Sequence, residues 1–242
     1  MFTRAKPEPI SYPRRFWKDV TVEARDSAFA ILLDGRGART PAGSGLALPT
    51  RALAELAAAE WAAQGEHLIP PTMPATRLAA TAIDRTPGVR AETAAEVARY
   101  AGSDLLCYFA EEPEALAERE RAAWEPLLAW AEQELQVRFV RAAGIVHRPQ
   151  APETMERVQQ AALALDDWAL TALAWGAALY GSAVLAFAVQ RRRLSGEEVF
   201  DLSRLDEAFQ EEQWGVDEDA AAVTAARRAD AVLLDHWFAA LS

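Results

Sequence analysis

The sequence predicts an α+β protein: a small N-terminal antiparallel β-sheet with one helix over residues 1–66, then a mostly α-helical bundle over residues 67–242. Three observations predict it. Before residue 34, β-branched and aromatic residues gather in two runs, Arg15–Val22 (RFWKDVTV) and Ala28–Leu33 (AFAILL), and the turn pair Asp34-Gly35 closes the second. From Thr50 onward, most segments repeat apolar residues at three- and four-residue steps, the period of a helix with one buried face. Half of the 242 residues are hydrophobic (51%), enough for a substantial core.

The elements follow in order. Gly37, Pro41, Gly43 and Gly45 keep one stretch irregular, and Leu46–Leu48 offers a third short strand. Thr50 caps a first helix whose buried face is Leu53, Leu56, Ala57 and Trp61, with Trp61 expected to join helix and sheet. Pro70, Pro71 and Pro74 mark a linker. Thr76–Asp84 and Ala91–Tyr100 have helical composition, parted by Pro87-Gly88, whereas Asp104–Phe109 (DLLCYF) reads equally as strand or buried helix. Glu114–Glu134 is a long amphipathic helix carrying Leu116, Trp124, Leu127, Leu128 and Trp130, with Pro126 expected to kink it. Arg138–Val146 is irregular and Pro152–Leu165 helical. Ala169–Val189 is free of charge over 21 residues and is followed by Arg191-Arg192-Arg193, a pattern that mimics a membrane span. Its content of Ala, Gly, Ser and Thr favours a buried core helix, broken near Gly181-Ser182. The three arginines read as favourable charges at a helix C-terminus. A last helix runs from about Asp219 to Leu241, with Asp217-Glu218-Asp219 suited to its N-terminus.

The most informative stretch is Leu194–Gly215 (LSGEEVFDLSRLDEAFQEEQWG). Ser195 and Glu198 have the spacing of a capping box, Val199, Leu202, Leu205 and Phe209 make one apolar stripe, and Gly215 is a stop, so one helix is expected. Its acids are less ordinary. Asp206 lies at the rim of the stripe, Glu207 and Glu211 repel across one turn, and Glu211 and Glu212 oppose the helix dipole in the last turn. A solvated acidic face explains them in structural terms, as does an Asp206 carboxylate buried against Arg204, Arg193 or Arg228. A contact with a basic partner explains them in functional terms.

Composition narrows the function classes. A net charge of −11 disfavours general nucleic-acid binding and favours a basic or apolar partner. Lysine is confined to Lys6 and Lys18. The single Cys107 excludes an internal disulfide and, lying in an apolar run, reads as an inert core thiol of a reducing compartment. The basic lead of Arg4, Lys6, Arg14, Arg15 and Lys18 lacks the apolar segment of a secretory signal. Gly35-Arg36-Gly37 is not followed by the glycines of a dinucleotide loop, and phosphate-loop, zincin and nucleophile-elbow motifs are absent. His67, His147 and His236 are isolated and read as structural. The enzyme alternative is a hydrolase or metal-dependent chemistry built on Asp206, Glu207 and Glu211.

Several motifs recur together in one known family. They are Phe16-Trp17; Leu33-Asp34-Gly35-Arg36 with Arg39-Thr40-Pro41; Glu60-Trp61; and Ser103-Asp104-Leu105-Leu106-Cys107-Tyr108. Glu112-Pro113-Glu114 with Leu116 follows, then Trp124, Pro126, Trp130 and Glu132, and Trp168-Ala169-Leu170. Arg193-Leu194-Ser195 and Leu202-Ser203-Arg204-Leu205-Asp206-Glu207, with Phe209-Gln210 and Trp214-Gly215, complete the set. In this order, from about residue 15 to 220, the chain resembles the assembly chaperones of the F-type ATP synthase catalytic sector that handle the alpha subunit. The resemblance implies a non-enzymatic chaperone without cofactor or metal, a β-containing N-terminal domain and an orthogonal helical bundle. It implies a protein that is monomeric when free and holds the unassembled alpha subunit by the surface that would otherwise meet beta. The family's important acid falls before the Trp-Gly pair, where this chain has Asp206 in place of the more usual glutamate, with Glu207 beside it. The partner-binding residues so implied are Asp206, Glu207, Glu211 and Trp214. Lacking a longer transit segment, the chain reads as a bacterial, cytoplasmic relative, or a mitochondrial matrix protein if eukaryotic.

Overall fold

The computed structural model describes residues 12–144, 146–215 and 218–242. Arg4 and Lys6 of the basic lead, and the side chains of Asp217-Glu218-Asp219, lie outside the described residues. The first layer is antiparallel. β1 (Val20–Arg25) pairs with β2 (Ala28–Leu33) in the register Val20↔Leu33 to Arg25↔Ala28. On its other edge β2 meets β3 (Arg36–Gly37) at one end and β4 (Ala47–Leu48) at the other. Asp34 and Gly35, both at positive φ, form the two-residue turn between β2 and β3 that this pair favours. The first strand starts at Val20, not Arg15. Trp17 leaves the ladder because its ring is buried against Trp61, and its neighbours Lys18 and Asp19 donate their N–H groups to the Asp34 carboxylate instead. Those backbone donors hold the Asp34 carboxyl below its usual range.

α1 (Arg51–Ala62) packs over the sheet, started by the Thr50 hydroxyl, which accepts from the Leu53 N–H at 3.1 Å. Leu53, Ala57 and Trp61 are buried and Leu56 is half-buried. α2 (Pro74–Asp84) has no capping side chain of its own. Glu60 supplies one from α1, accepting from the N–H groups of Ala75 and Thr76 at 2.7 and 2.8 Å. The Glu60-Trp61 pair thus serves two junctions, the carboxylate fixing α2 and the indole packing against Trp17 ahead of β1.

Beyond α3 (Arg90–Gly102), the ambiguous DLLCYF segment resolves as a short 3₁₀ turn, Leu105–Cys107, followed by strand β5 (Tyr108–Phe109). β5 pairs in parallel with β6 (Ala142–Ala143), which follows the 22-residue α4 (Glu114–Leu135). α4 continues through Pro126. α5 (Pro152–Leu163) lies along α3. The uncharged stretch breaks where expected: α6 (Asp167–Tyr180) ends on Gly181 at φ 65°, and Ser182 caps α7 (Ala183–Gln190) by accepting from Leu185 N–H at 3.0 Å. Every α7 residue from Ala183 to Val189 is buried. None of the helices among the described residues is long and apolar enough to cross a membrane. Arg191 and Arg192 pair with Glu134 and Asp235, so they staple α4 and the last helix more than they serve their own helix end.

Leu194–Gly215 is two helices, α8 (Gly196–Ser203) and α9 (Leu205–Trp214), in place of the single one expected. The capping box of Ser195 and Glu198 is present. The break has a long-range cause. The Leu202 carbonyl, which a continuous helix would offer to its own backbone, accepts the indole N–H of Trp124 at 3.1 Å, and the Ser203 hydroxyl donates to the Phe200 carbonyl at 2.8 Å. α10 (Glu218–Leu241) closes the array against α8, α6 and α1. At the α8 contact Gly196 is required, because a Cβ there would stand 2.1 Å from the Ala231 carbonyl oxygen. One hydrophobic cluster runs from Trp17 and Ile31 in the sheet layer through Trp124, Leu173 and Phe187 to Trp237.

Candidate partner-binding site on the acidic helix

α9 is held to the body by little apolar surface, since Leu205 is its only buried residue. Polar contacts do much of the positioning. Arg204, at the break before it, reaches forward to Glu211 at 2.7 Å and lays its guanidinium over the Phe200 ring. Arg119 of α4 pairs with Glu212 at 2.9 Å, which holds the Glu212 carboxyl below its usual range. The two acids that oppose the α9 dipole are therefore neutralised by cations from outside the helix. Arg228, one of the arginines expected near Asp206, instead pairs with Asp201 and covers the Phe200 ring.

Asp206 faces a carboxyl group. Glu120 of α4 is fully buried; one of its oxygens accepts the Ala110 N–H at 2.6 Å, and the other side of the group meets Asp206. Oε1 of Glu120 and Oδ1 of Asp206 are buried and have no donor from any other described residue. A single proton held between the two carboxyl groups would satisfy both, and burying two negative charges side by side there would be strongly unfavourable. Burial first, and then the bond to Asp206, push the Glu120 carboxyl up to about 8, against the opposing pull of Ala110 N–H and the Arg121 charge. The signal for Glu120 was in the sequence. It stands four residues after Leu116 and four before Trp124, a charged residue inside the apolar stripe of α4.

The four residues implied as partner-binding thus fall into two pairs. Asp206 and Glu211 are engaged within the molecule. Glu207 and Trp214 face solvent, Trp214 with 87% of its surface exposed. Among the described residues no three His, Cys, Asp or Glu side chains converge as metal ligands would. Cys107 is buried in apolar surroundings, which push its thiol far above the range in which it reacts.

The shared proton has a measurable consequence. Unfolded, Glu120 titrates near its ordinary 4.5; folded, near 8. Between those values the folded state holds a proton that the unfolded state has lost. This contribution is therefore fully present below about pH 4.5 and is lost as pH rises through 8. The slope is at most about 1.4 kcal/mol per pH unit. Glu120→Gln keeps an N–H donor toward Asp206 at every pH. It is expected to flatten the decline in melting temperature between about pH 4.5 and 8 and to melt higher than the wild type at the alkaline end. An equally steep profile in the variant would rule out the shared proton.

Comparison with known proteins extends the family reading to the whole chain. The family profile described as ATP12 chaperone protein matches residues 14–132. The mitochondrial protein Atp12 of Schizosaccharomyces pombe is 28% identical over 233 residues, spanning 89% of this chain and 78% of the yeast protein. The crystal structure of Atp12 from Paracoccus denitrificans superposes with a TM-score of 0.86 at 38% identity, covering 95% of this chain and 99% of that one. An aspartate-to-lysine mutant of the same Paracoccus protein has a TM-score of 0.86 with coverage of 96% and 100%. A protein from Agrobacterium tumefaciens has a TM-score of 0.88 at 38% identity, covering 98% of this chain and 93% of its own. With the fold, the ordered motifs and near-complete coverage in agreement, the chain belongs to the ATP12 chaperone family.

Proposed function

We propose that this protein is an assembly chaperone of the F-type ATP synthase catalytic sector and that it holds the unassembled alpha subunit through the outer face of α9. The observation that carries the site is Trp214, left 87% exposed at the end of a helix that buries one residue. A tryptophan so exposed is a ready anchor for a partner. Glu207, on the same helix and exposed, supplies charge toward a basic surface. Asp206 has a different part: paired with Glu120, it sets the position of α9 on α4 without itself meeting the client. Chemistry at a bound substrate has no place in this reading. Its setting is the bacterial cytoplasm, or the mitochondrial matrix for a eukaryotic chain, and the free protein is a monomer.

The test is binding of purified alpha subunit at two salt concentrations, with a melting curve for each variant. Trp214→Ala is expected to weaken binding by about 2 kcal/mol, the hot-spot scale, and to leave the melt unchanged. Glu207→Gln is expected to lose about 0.5–1 kcal/mol and to show a shallower dependence on salt than the wild type. Normal binding by both variants would remove α9 from the interface. Failure of the wild-type chain to bind alpha, with binding to beta instead, would overturn the choice of client.

A further inference from the structure

On another part of the surface α2, α3 and α6 leave an open groove of about 580 Å³. Arg77 and Arg85, eight residues apart and so on one side of α2 and its C-terminal cap, line one wall. Leu78, Val89 and Trp175 give the groove its apolar surface. Glu92 stands among the α3 residues opposite, and Glu96 is tied up by Arg99 on the same helix.

Two features of this groove are unspent by the fold. Arg77 and Arg85 are exposed and, among the described residues, make neither an ion pair nor a side-chain hydrogen bond. This contrasts with Arg90 beside them, which is bound to Asp167 and to the Leu163 and Leu165 carbonyls. Asp230 of α10 and Glu60 of α1 attract Arg77 only from a distance. Trp175 is half-buried, and its indole N–H has no acceptor among the described residues. The bottom of the groove is already satisfied, since the Thr86 and Thr171 hydroxyls bond each other at 2.6 Å, so it asks for no water or ion. A pair of free arginines beside an open indole combines the side-chain types that dominate protein interfaces. Their positive charge is opposite to the net charge of −11 of the whole chain.

We infer that the α2–α3–α6 groove docks a protein segment that sets a bulky apolar side chain against Trp175 and carboxylates against Arg77 and Arg85. Guanidinium groups favour such an occupant because each can take a carboxylate with two parallel hydrogen bonds. The groove is separate from α9 and does not depend on the alpha-subunit reading.

The experiment uses the full chain and two fluorescent amphipathic peptides of equal length with the same leucine face, one flanked by glutamate and one by lysine. The wild type is expected to bind the glutamate peptide about tenfold tighter than the lysine peptide, although the field of an acidic protein favours the lysine one. Arg77→Glu with Arg85→Glu reverses the preference, Trp175→Ala weakens binding of the glutamate peptide, and Trp214→Ala leaves it unchanged. Should the double reversal disturb the melting curve, Arg77→Gln with Arg85→Gln abolishes the preference without adding repulsion. Preference of the wild type for the lysine peptide, absence of binding, or undiminished binding of the glutamate peptide by the arginine variants would each overturn the inference.

Discussion

Replacing Trp61 with alanine is expected to destabilise the protein by about 3–5 kcal/mol and to lower its melting temperature by roughly 10 °C. The indole is 8% exposed and meets the Trp17 ring edge-on, with centroids 5.1 Å apart. Its own N–H has no acceptor among the described residues, so the substitution forfeits packing and no side-chain hydrogen bond seen there. The Trp17 indole donates to the Trp61 backbone carbonyl at 3.3 Å, a bond that alanine can keep. The loss is therefore that of a cavity between α1 and the segment that carries Trp17 into β1. Trp61→Phe, which refills most of the space, is expected to recover more than half of it. Thermal unfolding of the two variants decides the matter: an unchanged melting temperature for Trp61→Ala would show that α1 is held to the sheet by other contacts.

Asp104→Ala is expected to destabilise by a comparable amount, about 3–5 kcal/mol, for a different reason. The Asp104 carboxyl is fully buried at the end of α3 and accepts from the Ser182 hydroxyl at 2.6 Å and from the N–H groups of Val184 and Leu106 at 3.0 and 3.2 Å. It fastens the break between α6 and α7 to the turn that leads into β5. Removing it strands buried donors on two elements at once. Burial pushes this carboxyl up to about 6, despite the donors that pull it down. The folded state thus keeps a proton that the unfolded state loses near 3.8, and this contribution to stability fades as pH rises through about 6. Asp104→Asn retains one acceptor, so it is expected to be the milder substitution and to lack that decline between about pH 4 and 6. Melting curves of both variants across that range test the assignment; a normal melt for Asp104→Ala would exclude it.

Much of the architecture was legible because its causes are short-range. Asp34-Gly35 makes its turn from two residues that tolerate positive φ. Ser195 and Glu198 close a capping box over three residues, and Gly181-Ser182 ends one helix and starts the next within two. Composition and spacing alone also argued that Ala169–Val189 is core, and the ordered motifs pointed to the family.

The features that sequence reading missed lie between residues far apart in the chain. The start of β1 depends on where Trp17 finds Trp61, 44 positions away. The split of Leu194–Gly215 depends on the Trp124 indole claiming the Leu202 carbonyl across 78 positions. The acids of α9 looked alike in sequence; only Arg204, Arg119 and Glu120, brought up by the packing of α4 and the turn at the break, separate the engaged Asp206, Glu211 and Glu212 from the exposed Glu207, which pairs with none of the described residues. By itself, then, the sequence determined the local caps and turns, the α+β class and the family. The tertiary structure alone decided which carboxyl is paired, which is protonated and which faces water, because a charge takes its state from whatever the fold places within a few ångströms of it.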